Sequence, residues 1–399
     1  AALNTGLQPN TLIWDTPVTL PPVGGSGSRG DDWSPKNFDG GSGGLTTLRR
    51  ALENSKNLVT ARLLDGGISD DPEKSLQRIC ELAMEAQLYL ECVRHYPFVL
   101  GAQPVRLFDL AAFYAAIANE GERPSPYALE SVEKDGRAIY SRGAKPLAAL
   151  GSADRASFYQ VKSMLKGVLE RGTARPIRHL APYVGGKTGT TDNENDAWFA
   201  AFSNEVTVVV WVGYDNADGK RRTLGRGQTG GKVALPIASS IFEAAWTHHA
   251  PKTRLSPPSP EAERLLVAAP IDLRSGERLS ARSPGAFVEH FRTDRFGRLA
   301  DTQYKLVPRQ EAYAARNPDP WSDGEGEEAG GYYPGESGPY AEAPRAQAQP
   351  RSPFGEAPFW GEPQYRQFPD GSGWFEDERP RRRARRVDPD YPWGERPFN

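Results

Sequence analysis

Three strand candidates near the middle of the chain are joined by polar links too short to contain a helix. The segments are 185–191, 197–202 and 206–214, and the links are 192–196 and 203–205. Parallel strands need a crossover of about a dozen residues, whereas links of this length join antiparallel neighbours. The sequence therefore predicts an antiparallel sheet of three strands.

Helical patterns lie on both sides of this sheet in the sequence. Asp71 followed by Pro72 is a helix start signal, and the apolar helix over 105–119 is predicted to be central and buried. A hairpin turned by Asp135-Gly136 joins strands at 127–132 and 137–141. The predicted helices cover 45–64 with a break at 55–57, 72 to about 90, 105–119, 153–170 and 234–248. Helices, a meander and a last helix indicate an α+β fold, an antiparallel sheet flanked by helices.

Composition divides the chain into three parts. Residues 1–250 have the pattern of a globular domain, and 251–308 form a small extension with a weak strand pattern around 265–267 and a turn at Ser275-Gly276. Residues 309–399 are rich in Pro, Gly, Glu and Arg, which predicts a low-complexity, disordered tail. Its basic run at 381–386 is read as a solvated charge run, with an anionic-polymer or membrane contact as the alternative.

Charge and residue usage exclude several classes of function. The net charge of −2 argues against nucleic acid as the main partner. No apolar run approaches the roughly 20 residues that span a bilayer. The five histidines form no H-x-x-x-H pattern, so neither a zinc site nor a histidine-based triad is expected. Cys80 and Cys92 form either a disulfide or two buried thiols, and buried thiols are the commoner outcome.

The segment Lys187-Thr188-Gly189-Thr190 opens the first strand of the predicted sheet. Alternation on a strand places Thr188 and Thr190 on one face, where two hydroxyls can bind a carboxylate near the Lys187 ammonium. Gly189 lets a substrate backbone approach closely. Taken alone, K-T-G also fits an edge strand with a polar face.

A second polar segment, Ser55-Lys56-Asn57, interrupts the first helical pattern. Ser and Asn favour helix breaks because their side chains bond to nearby backbone groups. A break there projects a hydroxyl and an amide from one short loop. A plain surface turn is the alternative reading.

Together and in this order, S-x-N and K-T-G resemble the pattern of the penicillin-recognising serine acyltransferases. Residues 45–57 resemble the segment that leads into S-x-N in class A penicillin-binding proteins. Residues 167–174 are similar to the helix and loop ahead of K-T-G, and 195–199 and 211–215 to the strands after it. The resemblance covers roughly residues 1–250 and implies a β-lactamase/transpeptidase-like fold.

The resemblance implies a peptidoglycan D,D-transpeptidase that acts through a serine acyl-enzyme and binds β-lactams. It places Ser55 in proton shuttling, Asn57 on the substrate amide and Lys187 as a positive charge that helps move protons. Thr188 and Thr190 would bind the terminal carboxylate, beside Gly189. The backbone of Thr190 would contribute to the oxyanion hole. The partners are stem peptides and β-lactams, without metal or organic cofactor, at the periplasmic face of the inner membrane.

The nucleophile motif of that family, S-x-x-K, is expected upstream of Ala1, because residues 1–17 resemble the segment that follows it. The glycosyltransferase domain and membrane anchor are also expected there, so the chain is read as a fragment that is inactive alone. The one S-x-x-K present, Ser163 to Lys166, lies in a segment matched to a structural helix and is not favoured. The alternatives are a D,D-carboxypeptidase or β-lactamase on the same fold, or a non-catalytic module that binds wall peptides.

Overall fold

Helices and short strands alternate along the part of the chain that the computed structural model describes. That part comprises residues 1–25, 31–215, 219–294, 296–299 and 305–306. The α-helices are α1 (Leu48–Glu53), α2 (Asn57–Arg62), α3 (Pro72–Glu85), α4 (Leu107–Ala118), α5 (Arg155–Arg171), α6 (Leu235–His248) and α7 (Pro260–Glu263). The predicted tail at 309–399, with its basic run, lies outside the described residues.

The strands are short and pair in several small sheets. They are β1 (Leu12–Asp15), β2 (Gly44–Thr47), β3 (Glu122–Arg123), β4 (Ser131–Lys134), β5 (Arg137–Ser141), β6 (Ala148–Ala149), β7 (Gly185–Thr190), β8 (Asp196–Phe202), β9 (Thr207–Gly213), β10 (Leu266–Ile271), β11 (Phe287–Arg292) and β12 (Lys305–Leu306). The predicted hairpin of β4 and β5 forms, although its first strand lies at Ser131–Lys134 rather than at 127–132.

The predicted meander is confirmed as an antiparallel sheet in the order β7-β8-β9. Phe199 and Phe202 of β8 are fully buried, because helices pack on the sheet. One core joins β8 to α4, α5 and α6, through residues that include Ile117, Val168 and Phe242. The expected α+β fold, a sheet flanked by helices, is therefore present.

The first helical pattern begins later than its sequence predicts. Residues 44–47 form β2, which pairs antiparallel with β1, so α1 begins at Leu48 rather than at Leu45. Thr47 caps α1, because its hydroxyl accepts a hydrogen bond from the Arg50 amide. The predicted break at 55–57 is confirmed, since α1 ends at Glu53 and α2 begins at Asn57.

Helix α4 is less buried than its apolar composition predicts. The side chains of Leu107 and Phe108 are 41% and 51% exposed. Only Asp109, Ala112, Ala116 and Ile117 of this helix are fully buried. The prediction of a central helix buried on all sides is wrong, because α4 covers one side of the sheet and presents its first turn to solvent.

The two cysteines are joined, which corrects the expectation of buried thiols. Cys80 of α3 forms a disulfide with Cys92, twelve residues later. The predicted start of α3 is confirmed. Asp71 is its N-cap, because the Asp71 carboxylate accepts a hydrogen bond from the Glu73 amide, and Pro72 is the first residue of the helix. The helix ends at Glu85, short of the predicted end near Leu90.

The residues after 250 that the structure describes pack onto α5. Strands β10 and β11 pair antiparallel, and the predicted turn has Gly276 at a φ of 74°. Glu289 of β11 is fully buried and pairs with Arg49 of α1. Strand β12 pairs in parallel with β1. Among the described residues, no helix is long and apolar enough to cross a bilayer.

Candidate functional site

The S-x-N and K-T-G segments meet in the folded chain. The Lys187 Nζ donates a hydrogen bond of 2.7 Å to Ser55 Oγ across a sequence separation of 132 residues. The same Nζ donates to the carbonyl oxygen of Thr188 at 2.9 Å. Two polar segments that are each ambiguous in sequence therefore form one constellation.

Burial changes the proton affinity of the lysine. Desolvation of the ammonium lowers the pKa of Lys187 to about 8. Its hydrogen-bond partners are a hydroxyl and a carbonyl, neither of which carries a full charge. A lysine with this pKa exchanges its proton near neutral pH, which suits both charge recognition and proton transfer.

Ser55 has a backbone conformation that is uncommon for a residue with a side chain. Its φ is 56°, in the left-handed region, between the end of α1 and the start of α2. The neighbouring Lys56 holds the loop, since its Nζ lies 3.3 Å from Asp15 and 3.2 Å from Asp39. The loop directs the Ser55 hydroxyl at Lys187 at the expense of local backbone strain.

The two threonines of the strand each have a partner for their hydroxyl oxygen. Thr188 Oγ1 lies 2.7 Å from Thr173 Oγ1, and either oxygen could donate. Thr190 Oγ1 accepts from the Gly230 amide at 3.1 Å. Both side chains are half-buried. An N–H group can only donate, so the Thr190 proton remains free to bond to a ligand.

Close packing explains two glycines beside these threonines. Gly189 faces Trp198 across the β7–β8 pair, and a Cβ there would lie 3.1 Å from the Trp198 Cβ. A Cβ on Gly230 would overlap the carbonyl oxygens of both Gly189 and Trp198. Glycine at 230 lets its amide reach Thr190.

Two candidate residues do not bond to the Ser55–Lys187 pair. The Asn57 side chain donates to the carbonyl oxygen of Lys36 at 2.9 Å. Ser163 Oγ accepts from the guanidinium of Arg49 at 3.0 Å. Lys166 lies 3.3 Å from Glu170, so the S-x-x-K at 163–166 is occupied by other contacts.

A buried charge cluster that was not predicted from the sequence supports the Ser55 loop. The carboxylate of Glu53 is fully buried and lies 2.6 Å from both Arg50 and Arg171. Arg49 lies 3.6 Å from Glu53 and donates to Glu289 at 2.7 Å. The sequence signal was a glutamate two positions before the serine, on a short helix rich in arginine.

Comparison with known proteins assigns the domain. Residues 104–243 match the family model described as "Penicillin binding protein transpeptidase domain". Penicillin-binding protein 1A of Rickettsia bellii is 32% identical over 272 residues, which cover 63% of this chain and 32% of that protein. The resemblance to the transpeptidase region of class A penicillin-binding proteins is thereby confirmed.

Solved structures show the same fold. Penicillin-binding protein 1A from Haemophilus influenzae matches with a TM-score of 0.60 and 23% identity, over 77% of this chain and 47% of that one. PonA1 from Mycobacterium tuberculosis, solved in complex with penicillin V, matches with a TM-score of 0.50 and 18% identity, over 71% and 72%. The chain spans about a third of the length of the curated relatives that it matches, 32% in the first case.

Proposed function

We propose that this region cross-links peptidoglycan as a D,D-transpeptidase. The observation that carries the proposal is the 2.7 Å hydrogen bond between Lys187 Nζ and Ser55 Oγ. It joins a hydroxyl that can relay a proton to an amine whose pKa is lowered to about 8. Such a pair suits the proton transfers of acyl-enzyme chemistry.

The proposed reaction has two acyl-transfer steps. A nucleophilic serine Oγ attacks the carbonyl between two terminal D-alanines, the C–N bond breaks, and the leaving amine takes up the proton that the serine loses. The amine of a second stem peptide then attacks the ester, and the proton it loses returns to the serine. Ser55 and Lys187 relay these protons. Asn57 would turn from Lys36 to bond to the substrate amide.

Strand β7 supplies recognition of the substrate. It is an outer strand of its sheet, so its free edge can pair with an extended peptide. Thr188 and Thr190 bind the terminal carboxylate through their hydroxyls, and the Lys187 ammonium adds charge. The amide of Thr190 contributes to the oxyanion hole. Because β-lactams carry a carboxylate near a strained amide, they are proposed ligands of the same site.

The proposal requires a nucleophile other than Ser163. The Arg49 guanidinium donates a hydrogen bond to the Ser163 hydroxyl, and Lys166 forms an ion pair with Glu170. We place the attacking serine, with its S-x-x-K motif, on a segment of the intact protein outside residues 1–399. On this view the 399 residues alone do not form an acyl-enzyme.

The disulfide supports an extracytoplasmic location. A bond between Cys80 and Cys92 forms and persists in oxidising compartments such as the bacterial periplasm. We propose that the region works at the outer face of the inner membrane. Stem peptides are the proposed substrates there.

Covalent labelling tests the proposal. The intact protein, serine motif included, is expected to take up fluorescent penicillin as an adduct that survives denaturation. Ser55→Ala and Lys187→Ala should each slow labelling by about 100-fold or more, because each removes one member of the relay. Ser163→Ala is the matched control and should label like the parent. Equal labelling of Ser55→Ala and Ser163→Ala would overturn the assignment.

Product analysis separates the alternatives. With a stem peptide and an acceptor amine, a transpeptidase yields the cross-linked product with release of D-alanine. Hydrolysis alone would identify a D,D-carboxypeptidase. Reversible binding of a D-Ala-D-Ala peptide without any adduct would identify a binding module.

A further inference from the structure

We propose that Thr173 is a positioning residue that orients the Thr188 hydroxyl for a substrate carboxylate. The inference rests on the proposed function, since it concerns how the same site recognises its ligand. Thr173 follows α5 and stands outside both the S-x-N and the K-T-G motif. It acts on the ligand only through Thr188.

The two hydroxyls form a direct pair. Their oxygens are 2.7 Å apart, a distance typical of an O–H···O hydrogen bond. A hydroxyl has one proton and two acceptor sites. When Thr173 donates to Thr188, the Thr188 proton is left to donate to a carboxylate. Hydrogen bonds in such a chain polarise one another, which strengthens the bond to the ligand.

Thr190 shows the same arrangement with a different donor. Its oxygen accepts from the Gly230 amide, so its proton is available for a ligand. Thr173 provides for Thr188 what the backbone of Gly230 provides for Thr190. Both threonines then present protons to one carboxylate, which accepts through two oxygens.

The backbone around Thr173 is held from two sides. The Thr173 amide donates to the carbonyl oxygen of Glu53 at 3.1 Å, and the Ala174 amide donates to Val168 at 3.1 Å. Arg171 grips the Glu53 carboxylate with Nε at 3.0 Å and Nη2 at 2.6 Å. A side chain on a backbone held in this way presents its hydroxyl in a defined place.

Gly172 makes this contact possible. A Cβ at Gly172 would overlap the carbonyl oxygen of Glu53, the acceptor of the Thr173 amide. Glu53 lies two positions before Ser55, so Thr173 joins the loop that carries Ser55 to the strand that carries Thr188. The arrangement fixes the position of the Ser55 loop relative to the Thr188 hydroxyl.

The test compares an acid with its ester. In the intact protein, Thr173→Val removes the hydroxyl while it keeps the side-chain shape. The second-order rate constant of acylation by benzylpenicillin is expected to fall about five- to tenfold, the effect of one hydrogen bond. With benzylpenicillin methyl ester, which lacks the carboxylate charge, the constant should change less than about twofold. Thr173→Ser should restore the rate with the acid.

The acid-to-ester ratio decides between positioning and plain stabilisation. A folding defect lowers both constants by the same factor, so the ratio is independent of the folded fraction. Thr247→Val is the matched control, because the Thr247 hydroxyl bonds only within its helix, to the Glu243 carbonyl. In a Thr188→Val background, Thr173→Val should have no further effect. An unchanged ratio in Thr173→Val would overturn the inference while labelling of the parent still supports the transpeptidase; an unlabelled parent would overturn both.

Discussion

The two regions that meet at the Ser55–Lys187 hydrogen bond are held by different forces. The strand wall, residues 187–190 of β7, is held by a backbone ladder to β8 and by the buried aromatic residues of that strand. The loop wall, residues 54–57, is held by ion pairs from Glu53 and Lys56 to distant partners. A ladder tolerates the loss of one side chain, whereas a buried ion pair leaves an uncompensated charge when one partner is removed. The loop wall is therefore the more sensitive to mutation.

The largest expected effect tests this difference directly. Glu53→Ala removes the fully buried carboxylate that Arg49, Arg50 and Arg171 share, and it leaves the buried Arg49 with Glu289 as its remaining acidic partner. We expect a loss of about 3–5 kcal/mol in the free energy of unfolding, measured by urea denaturation. Glu243→Ala is the control, since its pair with His179 is exposed and should contribute less than about 1 kcal/mol. Equal losses in the two variants would contradict the comparison.

A substitution that introduces steric overlap beside β7 tests the strand wall. In Gly230→Ala, the new Cβ overlaps the carbonyl oxygens of Gly189 and Trp198, so β7 or the 230 segment must shift. We expect about 1–3 kcal/mol of destabilisation and slower penicillin labelling. Gly41→Ala, whose Cβ would stand 3.6 Å from Asp39, is the control for ordinary contact. Normal stability of Gly230→Ala would show that the strand wall yields easily.

The pH dependence of ligand binding tests the contribution of the Lys187 charge separately from that of its side-chain shape. With a pKa of about 8, Lys187 is mostly charged at pH 7 and mostly neutral at pH 9. The affinity for a carboxylate ligand is expected to fall about tenfold over that range, as the ammonium is lost. Lys187→Arg stays charged and should flatten the profile of the dissociation constant. The same slope in both proteins would assign the titration to another group.

Stability gives a second readout of the same lysine. Between pH 8 and the ordinary lysine value of about 10.4, the unfolded chain holds a proton that the folded chain has released. The free energy of unfolding should therefore rise with pH in that window, and Lys187→Met should remove this rise. A flat difference between the two proteins would contradict the lowered pKa.

The smallest effect concerns the backbone of the loop wall. Ser55 pays a conformational cost at a φ of 56° that glycine does not. Ser55→Gly is expected to be about 1 kcal/mol more stable than Ser55→Ala, although both lose the Ser55 hydroxyl. Thermal unfolding of the pair measures this difference, and both should label slowly. Equal stability would show that the loop relaxes its conformation.

The strand wall could be predicted from sequence, and the support of the loop wall could not. The meander follows from local apolar patterns and short links, so β7 to β9 appear where expected. The break at Ser55 has a local cause as well. Arg49 and Glu289 are 240 residues apart, and no pattern near either one identifies its partner. Strand β11, which carries Glu289, was not predicted individually from the sequence either.

Two local predictions failed because of tertiary contacts. The start of α1 moved to Leu48 because residues 44–47 pair with β1. The apolar α4 covers one side of the sheet and leaves Phe108 half exposed. In the site, the sequence separately indicated Ser55 and Lys187. The contact of Thr173 with Thr188 depends on how α5 ends against Glu53.

The two partners of the Arg49–Glu289 ion pair are synthesised at different times. The ribosome adds about 5–20 residues per second, so Glu289 follows Arg49 by roughly 10 to 50 s. Strand β7 emerges well before β11. Strand β7, the proposed carboxylate-binding strand, is thus made early, whereas the Arg49 guanidinium gains its Glu289 partner only after β11 has been made. A nascent chain can therefore form the strand wall before the ion pairs that support the loop wall are complete.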